Sequence, residues 1–428
     1  MRTKSFLSLS SPRLDYRNFA GLPGEPELLP PAESLTLHLP GRFRPAKAGL
    51  NIGDRVRRGQ RLAIYEDQKE GVICPATGTV SAVGPFIGNL GRPYTAVTIA
   101  VEPDGEADDE SAGAAGSLDL ETADRFFSSL PGAPDFSVFF DPETPIRTLL
   151  VSGVDADLLV TTNQYAARRW PKEIKKGLSA LSEVLSLERS VLALPGDIVQ
   201  NYASVGATET VGVSPEYPSG NPRLVALAAM GEPVPAGASM AEAGIAFMTA
   251  EAVAAIGRVV GTGRPPTEKI VTVVNKDGGK RLVSAVIGTP IRHILDAAGI
   301  VVEEGDRIIL GGPMTGTAVY SVDHPVTPAT DALMIQAGKD IVKTSDYPCI
   351  NCGECNRACP VNIQVNMLVR FLEAGKYEEA EDLYELDACI DCGLCSFVCV
   401  SRIPIFQYIR LAKYELSRIR SIEEEEHE

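Results

Sequence analysis

From Leu35 to about Pro103 the apolar residues come in short runs, among them LTLHL, RLAIY, GVIC, GTVSAV and TAVTIAV, punctuated by glycine and proline. Runs of this length predict short strands, and the stretch reads as a small all-β module. From Ile146 the pattern changes: RTLLVSGV is a buried-strand candidate, Gln164–Leu187 has the charged, apolar-striped composition of an amphipathic helix, and SVLALPG is a second strand. The alternation continues through RLVALAAMG and the helix-like AEAVAAIGRVV, which predicts an α/β layer with a partly parallel sheet. After Arg264-Pro265-Pro266, the segments KIVTVVN, KRLVSAVIG, a helix around Arg292–Ala298 and DRIILGG predict a compact ββαβ unit of β-grasp type. From about Ala337, helical runs (VNMLVRFLEAG and KYEEAEDLYEL) separate two cysteine-rich loops.

The joints between these patterns divide the chain. Residues 1–34 read as an irregular extension, because GLPGEPELLPPAE (Gly21–Glu33) carries four prolines. The acidic, aperiodic Asp104–Gly116 opens a linker expected over 104–145. The expected domains are 35–103, 146–265, 266–336 and 337–428, and Glu423–Glu426 reads as a solvated, frayed tail.

Composition narrows the function. The 428 residues are 44% hydrophobic and 22% charged, ordinary for a folded protein of several domains. A formal charge of −16 repels phosphate backbones and anionic lipids, so nucleic-acid and direct bilayer binding are not expected. No apolar run approaches the length of a membrane span. Met1–Ser11 shows no secretory pattern, which makes the cytoplasm the expected compartment.

The cysteines carry the chemistry. Eight of nine fall in the last 80 residues, as Cys349, Cys352, Cys355 and Cys359, then Cys389, Cys392, Cys395 and Cys399, each set spaced C-x2-C-x2-C-x3-C. Three thiolates two residues apart can wrap one cubane face while the fourth points to a second cluster. The spacing therefore predicts two [4Fe–4S] clusters with crossed ligands: Cys349, Cys352, Cys355 and Cys399 on the first, Cys389, Cys392, Cys395 and Cys359 on the second. Structural zinc, the alternative for paired C-x2-C, gains nothing from a third cysteine two residues on. The first motif ends in Pro360, whereas Cys399 is followed by Val400. The insertion between the motifs predicts a helical dicluster domain, and with a cysteine on every iron a relay of electrons is the natural function.

Three further segments now carry a resemblance: GDRVRRGQRLA (Gly53–Ala63) followed by CPATGTVSAV, the run KIVTV…VSAVIGTPIRHIL, and GGPMTG (Gly311–Gly316). In this order, upstream of two cysteine motifs, they resemble the RnfC subunit family of the Rnf ion-translocating oxidoreductase, parts of whose plan recur in PduS, NqrA and the complex I flavin subunit. The resemblance implies a multidomain α/β plus β architecture: a barrel-sandwich module (35–103), a Rossmann-like α/β region (146–265), an SLBB β-grasp domain (266–336) and a helical dicluster ferredoxin domain (337–428). It also implies an electron-transfer subunit, peripheral on the cytoplasmic face of the inner membrane. Its partners would be membrane-embedded redox subunits and a soluble carrier such as ferredoxin. The alternatives are an NADH-oxidising FMN subunit of the same complex and a soluble PduS-like cobalamin reductase.

The chain departs from the family where FMN and NADH would bind. In place of a G-x-G-G-A-G-F-P-T loop stands SSLPGAPDFSVFFDPETP (Ser128–Pro145), with Gly132 alone; in place of G-G-E-x-x-L-I stands YPSGNPRLV (Tyr217–Val225); and the acidic strand end reads SGVDADLL (Ser152–Leu159). A phosphate cradle needs consecutive glycines to bring N–H groups close to an anion. FMN and NADH are accordingly doubtful, and the α/β region is expected to be retained as scaffold with a degenerate nucleotide site. Smaller signals read as structural: Lys69 as an exposed turn lysine, Cys74 as a small buried hydrophobe, Trp170 as core or cap, and His38, His293, His324 and His427 as scattered. GGPMTG reads as a tight turn, or alternatively as a docking point against the neighbouring domain. No hydrolytic triad, P-loop or paired-carboxylate site is present in the pattern, and no catalytic residue is expected.

Overall fold

The computed structural model describes residues 14–16, 25–41, 43–44, 49–63, 65, 71–88, 91–103, 105, 120, 123, 127–185, 187–202, 209–345 and 347–427, to which every statement below is confined. Lys69, Met1–Ser11 and nearly all of Asp104–Gly116 lie outside these residues.

The first strand, β1 (Glu27–Leu28), comes from the proline-rich arm expected to be irregular. It pairs in parallel with Val283–Ser284, because the residues after Pro26 are free of proline until Pro30 and can follow a sheet edge. A β module follows, from β2 (Ser34–Pro40), β3 (Arg55–Val56), β4 (Arg61–Leu62), β5 (Val72–Ile73), β6 (Gly78–Ile87) and β7 (Pro93–Val101). An antiparallel sheet of order β2-β7-β6-β3 and the β4-β5 ribbon enclose Leu37, Leu39, Val80, Val97 and Ile99. Cys74 is fully buried here, and burial pushes its thiol up to about 12, as a small hydrophobe should behave.

Residues 127–145 differ from the expected linker. Phe127, Leu130 and Phe136 are buried, since three large apolar side chains in ten residues have more to gain from the adjacent core than from water. That core surrounds β8 (Thr148–Ser152), α1 (Thr162–Arg169), α2 (Pro171–Val184), β9 (Arg189–Pro195), β10 (Glu209–Val213), α3 (Pro222–Met230), β11 (Ile245–Thr249) and α4 (Ala250–Thr262). All four strands run parallel in the order β10-β9-β8-β11. Alternate residues face opposite sides: Leu149, Val151, Leu192 and Leu194 pack under α1, α2 and α4, while Leu150, Val191 and Ala193 pack under α3. The single helix expected over Gln164–Leu187 is two helices. Trp170 ends the first, and Pro171, lacking an N–H, starts the second at the position where none is needed.

Next come β12 (Glu268–Val274), β13 (Lys280–Val286), α5 (Ile291–Ala298), β14 (Arg307–Leu310), β15 (Thr317–Val319) and β16 (Ala332–Gln336). With β1 they form a six-stranded sheet of order β1-β13-β12-β16-β14-β15, whose apolar face buries Ile291, Ile294 and Leu295 of α5. The seam with the parallel region is polar but paired. Lys269 on β12, fully buried, contacts Glu251 of α4 and, at 2.8 Å, Asp331. Thr161 and Thr162 meet the Thr272 hydroxyl at 3.2 Å. On the other side His38 of β2 stacks on Phe86 at 3.9 Å and meets His324 edge-on at 5.5 Å, so two histidines that look scattered in sequence share one seam.

The last region is helical: α6 (Glu354–Ala358), α7 (Val365–Glu373), α8 (Tyr377–Tyr384), α9 (Leu394–Val398) and α10 (Ile405–His427). Its core holds Leu368, Leu372, Ile403, Ile405 and Ile409 around the cysteines. The expected frayed tail is instead the last turns of α10, which continues to His427 because no proline or glycine interrupts it after Pro404. No helix among the described residues is long and apolar enough to cross a membrane.

Candidate iron–sulfur centre

The two cysteine motifs fold alike. Asn351, Gly353 and Asn362 have φ of 58°, 73° and 59°, and Asp391, Gly393 and Arg402, at the same places in the second motif, have 55°, 73° and 55°. In each copy a one-turn helix (α6 or α9) carries the third cysteine and ends at the fourth. Each copy is also tied at the same point: Asn366 N–H donates to the Asn356 side chain at 3.0 Å, and Phe406 N–H to the Ser396 hydroxyl at 2.8 Å.

These loops enclose two small cavities. Cys349, Cys352, Cys355 and Cys399 line one, together with Ile350, Val369, Val400 and Ile403. Cys359, Cys389, Cys392 and Cys395 line the other, with Ile363, Ile390, Leu394 and Phe406. The fourth cysteine of each motif is thus brought to the other motif's cavity. The donors fit iron–sulfur clusters: four sulfurs per cavity, apolar walls, and backbone N–H groups of Asn356, Asp391, Leu394 and Ser396 directed at Cys355, Cys389, Cys392 and Cys395. One zinc would need its thiolates drawn to about 2.3 Å from a common centre. Among the described residues no three His, Cys, Asp or Glu side chains are grouped closely enough to hold a single ion. In the absence of metal, burial pushes the Cys355 and Cys389 thiols up to about 12 and Cys392 to about 11.

The surroundings of the second loop come from far away in the chain. Tyr217 O–H donates to the Cys392 carbonyl, Asn221 Nδ2 to the Ile390 carbonyl at 2.8 Å, and Lys413 Nζ to the Cys389 carbonyl at 2.6 Å. Tyr16 of the amino-terminal arm packs on Tyr217 with ring centroids 5.6 Å apart. None of these side chains is marked by a local motif. The one signal in the sequence is that Tyr217 and Asn221 lie in YPSGNPRLV, the segment that departs from the RnfC pattern.

GGPMTG does dock. Met314 N–H and Thr315 N–H donate to the Asp157 carboxylate at 3.1 and 2.7 Å, and the Thr315 hydroxyl adds a third bond at 2.7 Å. A Cβ on Gly312 would sit 2.4 Å from Asp157 Cγ, and one on Gly393 would sit 2.5 Å from the Met314 carbonyl oxygen. Glycine at both positions lets this turn touch the parallel region and the second cysteine loop at once. Asp155 accepts from Asn163 N–H at 2.8 Å and Gln164 N–H at 3.2 Å at the start of α1, and burial pushes its carboxyl up to about 7. The acidic strand end thus serves as a set of internal joints.

A cavity of about 500 Å³ lies at the carboxyl ends of β8, β9 and β10, lined by Tyr16, Val154, Gln164, Arg168, Gly196, Asp197 and Ser214. Crevices at this end of parallel strands are where open α/β sheets bind ligands. Gly132, the lone glycine of the replaced loop, abuts Thr249 and Ala252 at the start of α4. A larger cavity of about 640 Å³, floored by Tyr165 and Trp170, lies apart from the cysteines and contains none.

Residues 348–403 match the 4Fe-4S dicluster domain family. The chain carries two [4Fe–4S] clusters. Over 397 residues it is 27% identical to the C subunit of the ion-translocating oxidoreductase complex of Klebsiella pneumoniae, covering 88% of this chain and 52% of that protein. The corresponding C subunits of Pseudomonas aeruginosa and Haemophilus influenzae are 28% and 29% identical, covering 88% and 86% of this chain and 51% and 58% of theirs. The resemblance to RnfC read in the sequence therefore holds. The chain is a relative of these proteins, and it spans about half their length. Among solved structures, an NAD+-reducing [NiFe]-hydrogenase in the air-oxidized state superposes with a TM-score of 0.40 at 15% identity, over 72% of this chain and 63% of that one.

Proposed function

We propose that this chain is the electron-transfer subunit of an Rnf-type complex, relaying electrons through two [4Fe–4S] clusters between a soluble redox partner and membrane-embedded subunits at the cytoplasmic face. The observation that carries this reading is the division of eight cysteines between two neighbouring apolar cavities, four to each, with one exchanged. Cys349, Cys352, Cys355 and Cys399 are assigned to the first cluster, and Cys389, Cys392, Cys395 and Cys359 to the second. The clusters supply one-electron exchange at two adjacent sites. The protein excludes water with Val369, Ile403, Ile390 and Phe406 and directs N–H groups at the sulfurs, which sets the potentials. The upstream regions are read as a barrel-sandwich module (35–103), a Rossmann-like domain (146–265) extended by the packed residues 127–145, and an SLBB β-grasp domain (266–336).

A second reading, an NADH-oxidising FMN subunit, is favoured by the 500 Å³ cavity beside Tyr16. Against it stand the missing glycines and the packing of Gly132 onto α4. An anaerobic titration of the cluster-loaded chain separates the two. On the relay reading NADH leaves the iron–sulfur absorbance unchanged and dithionite bleaches it; bleaching by NADH moves the chain to the second reading.

A further inference from the structure

Ile350 and Ile390 occupy the same position in the two motifs, yet Ile390 is 7% exposed and Ile350 is 61% exposed. The cover over Ile390 is specific: Leu14, Tyr16, Tyr217 and Met314 pack around it with Leu394. At the first motif the residues matching Leu394 and Phe397 are Glu354 and Arg357, an exposed ion pair at 2.7 Å, and Arg357 also donates to the Cys352 carbonyl. Around this cavity lie further bare apolar side chains: Val400 at 48% exposure, Tyr347 at 76% and Val342 at 64%. The 342–347 segment is held against Val400–Arg402, since Ser345 N–H donates to the Arg402 carbonyl at 3.1 Å. Lys343 and Arg402, both exposed and brought together by the Ser345–Arg402 bond, place two cations at this edge of a chain whose overall charge is −16, while the charge of Arg357 is met by Glu354; Asp346 lies outside the described residues.

We propose that this face, Val342, Lys343, Tyr347, Ile350, Val400 and Arg402, is the docking site of a redox protein that presents an apolar patch rimmed by carboxylates around its own centre. The proposal rests on the relay reading above. The partner covers Ile350 as Tyr217 and Leu14 cover Ile390, and the local cations steer it against the repulsion of the rest of the chain. Ile350 and Val400 both line the first cavity and reach solvent, so one layer of side chain separates cluster and partner. One electron leaves the first cluster, oxidising it, and reduces the partner's centre; no bond forms or breaks.

The test uses the full chain, loaded with clusters and reduced by dithionite, and follows oxidation by two probe proteins in stopped flow: acidic plastocyanin and basic cytochrome c. Replacing Lys343→Glu together with Arg402→Glu should slow transfer to plastocyanin about tenfold at low salt and leave or raise the rate to cytochrome c. Val342→Asp, outside the cavity, should slow transfer to both by removing apolar contact, and serves if the double variant fails to load. Unchanged plastocyanin rates in a variant whose resonance spectrum retains both clusters would overturn the docking face. Fewer than two [4Fe–4S] signals in the unmodified chain would overturn the relay reading itself.

Discussion

The carboxy-terminal helical region and the parallel-sheet region hold themselves together by opposite means. The parallel region has a continuous apolar core on one face of its sheet, from Phe127 and Leu149 through Ile174 and Leu192 to Val253 and Ile256, and a second under α3. The helical region has its cysteines inside its core, so the space that another domain fills with side chains is here given to metal. One region is folded by the burial of its own side chains. The other borrows its stability from what it binds.

The largest expected effect follows directly. Iron removal by a chelator under reducing conditions should unfold the helical region, read as loss of part of the far-ultraviolet helical signal, while Trp170 fluorescence from the parallel region keeps its folded spectrum. Simultaneous loss of both signals would break the comparison. Next is the seam. Lys269→Met leaves Glu251 buried without its cation and should cost about 3–5 kcal/mol in denaturant unfolding of the sheet regions, with iron content unchanged. Gly312→Val forces a side chain into Asp157 and should cost about 1–3 kcal/mol, and because the same turn touches Gly393 it should also disturb the spectrum of the second cluster alone.

Smaller effects sharpen the contrast. Burial holds His38 at about 4, below its ordinary 6.5, so the folded chain takes up fewer protons there than the unfolded one. Its stabilising contribution is complete above pH 6.5 and falls as pH drops towards 4, with a slope of at most about 1.4 kcal/mol per pH unit, and His38→Phe should flatten that slope in thermal melts. Tyr217→Phe removes the O–H donated to the Cys392 carbonyl. About 0.5–1.5 kcal/mol of stability is expected to go with it, and the midpoint potential of one cluster should fall while the other stays put.

What can be read in the sequence follows the same divide. The cysteines lie within two short segments, and their spacing alone states the cluster type, because three ligands two residues apart have few other uses. The strands of the parallel sheet are legible for a similar reason: RTLLVSGV and SVLALPG are short apolar runs bounded by turn residues. The split of the long helix escapes the pattern although Pro171 marks it, since the apolar stripe runs through the break. Phe127 and Phe136 escape it too, because aromatic residues in an aperiodic stretch carry no period to detect. The cover over the second cluster is not legible at all. Leu14, Tyr217 and Met314 are far apart along the chain: the amino-terminal arm is pinned by the Tyr217 N–H, which donates to the Leu14 carbonyl at 2.8 Å, and Met314 arrives through the docking of GGPMTG on Asp157.

On the proposed ligand assignment, the exchanged cysteines would also set an order of failure under oxidation. Ile350 and Val400 leave the first cavity's wall open to solvent, so its cluster should be the first that oxygen reaches. Loss of that cluster would free Cys399, which ends α9, the single turn that also carries Cys395 in the second cavity. Damage at the open site would then pass to the sheltered one along a single turn of chain.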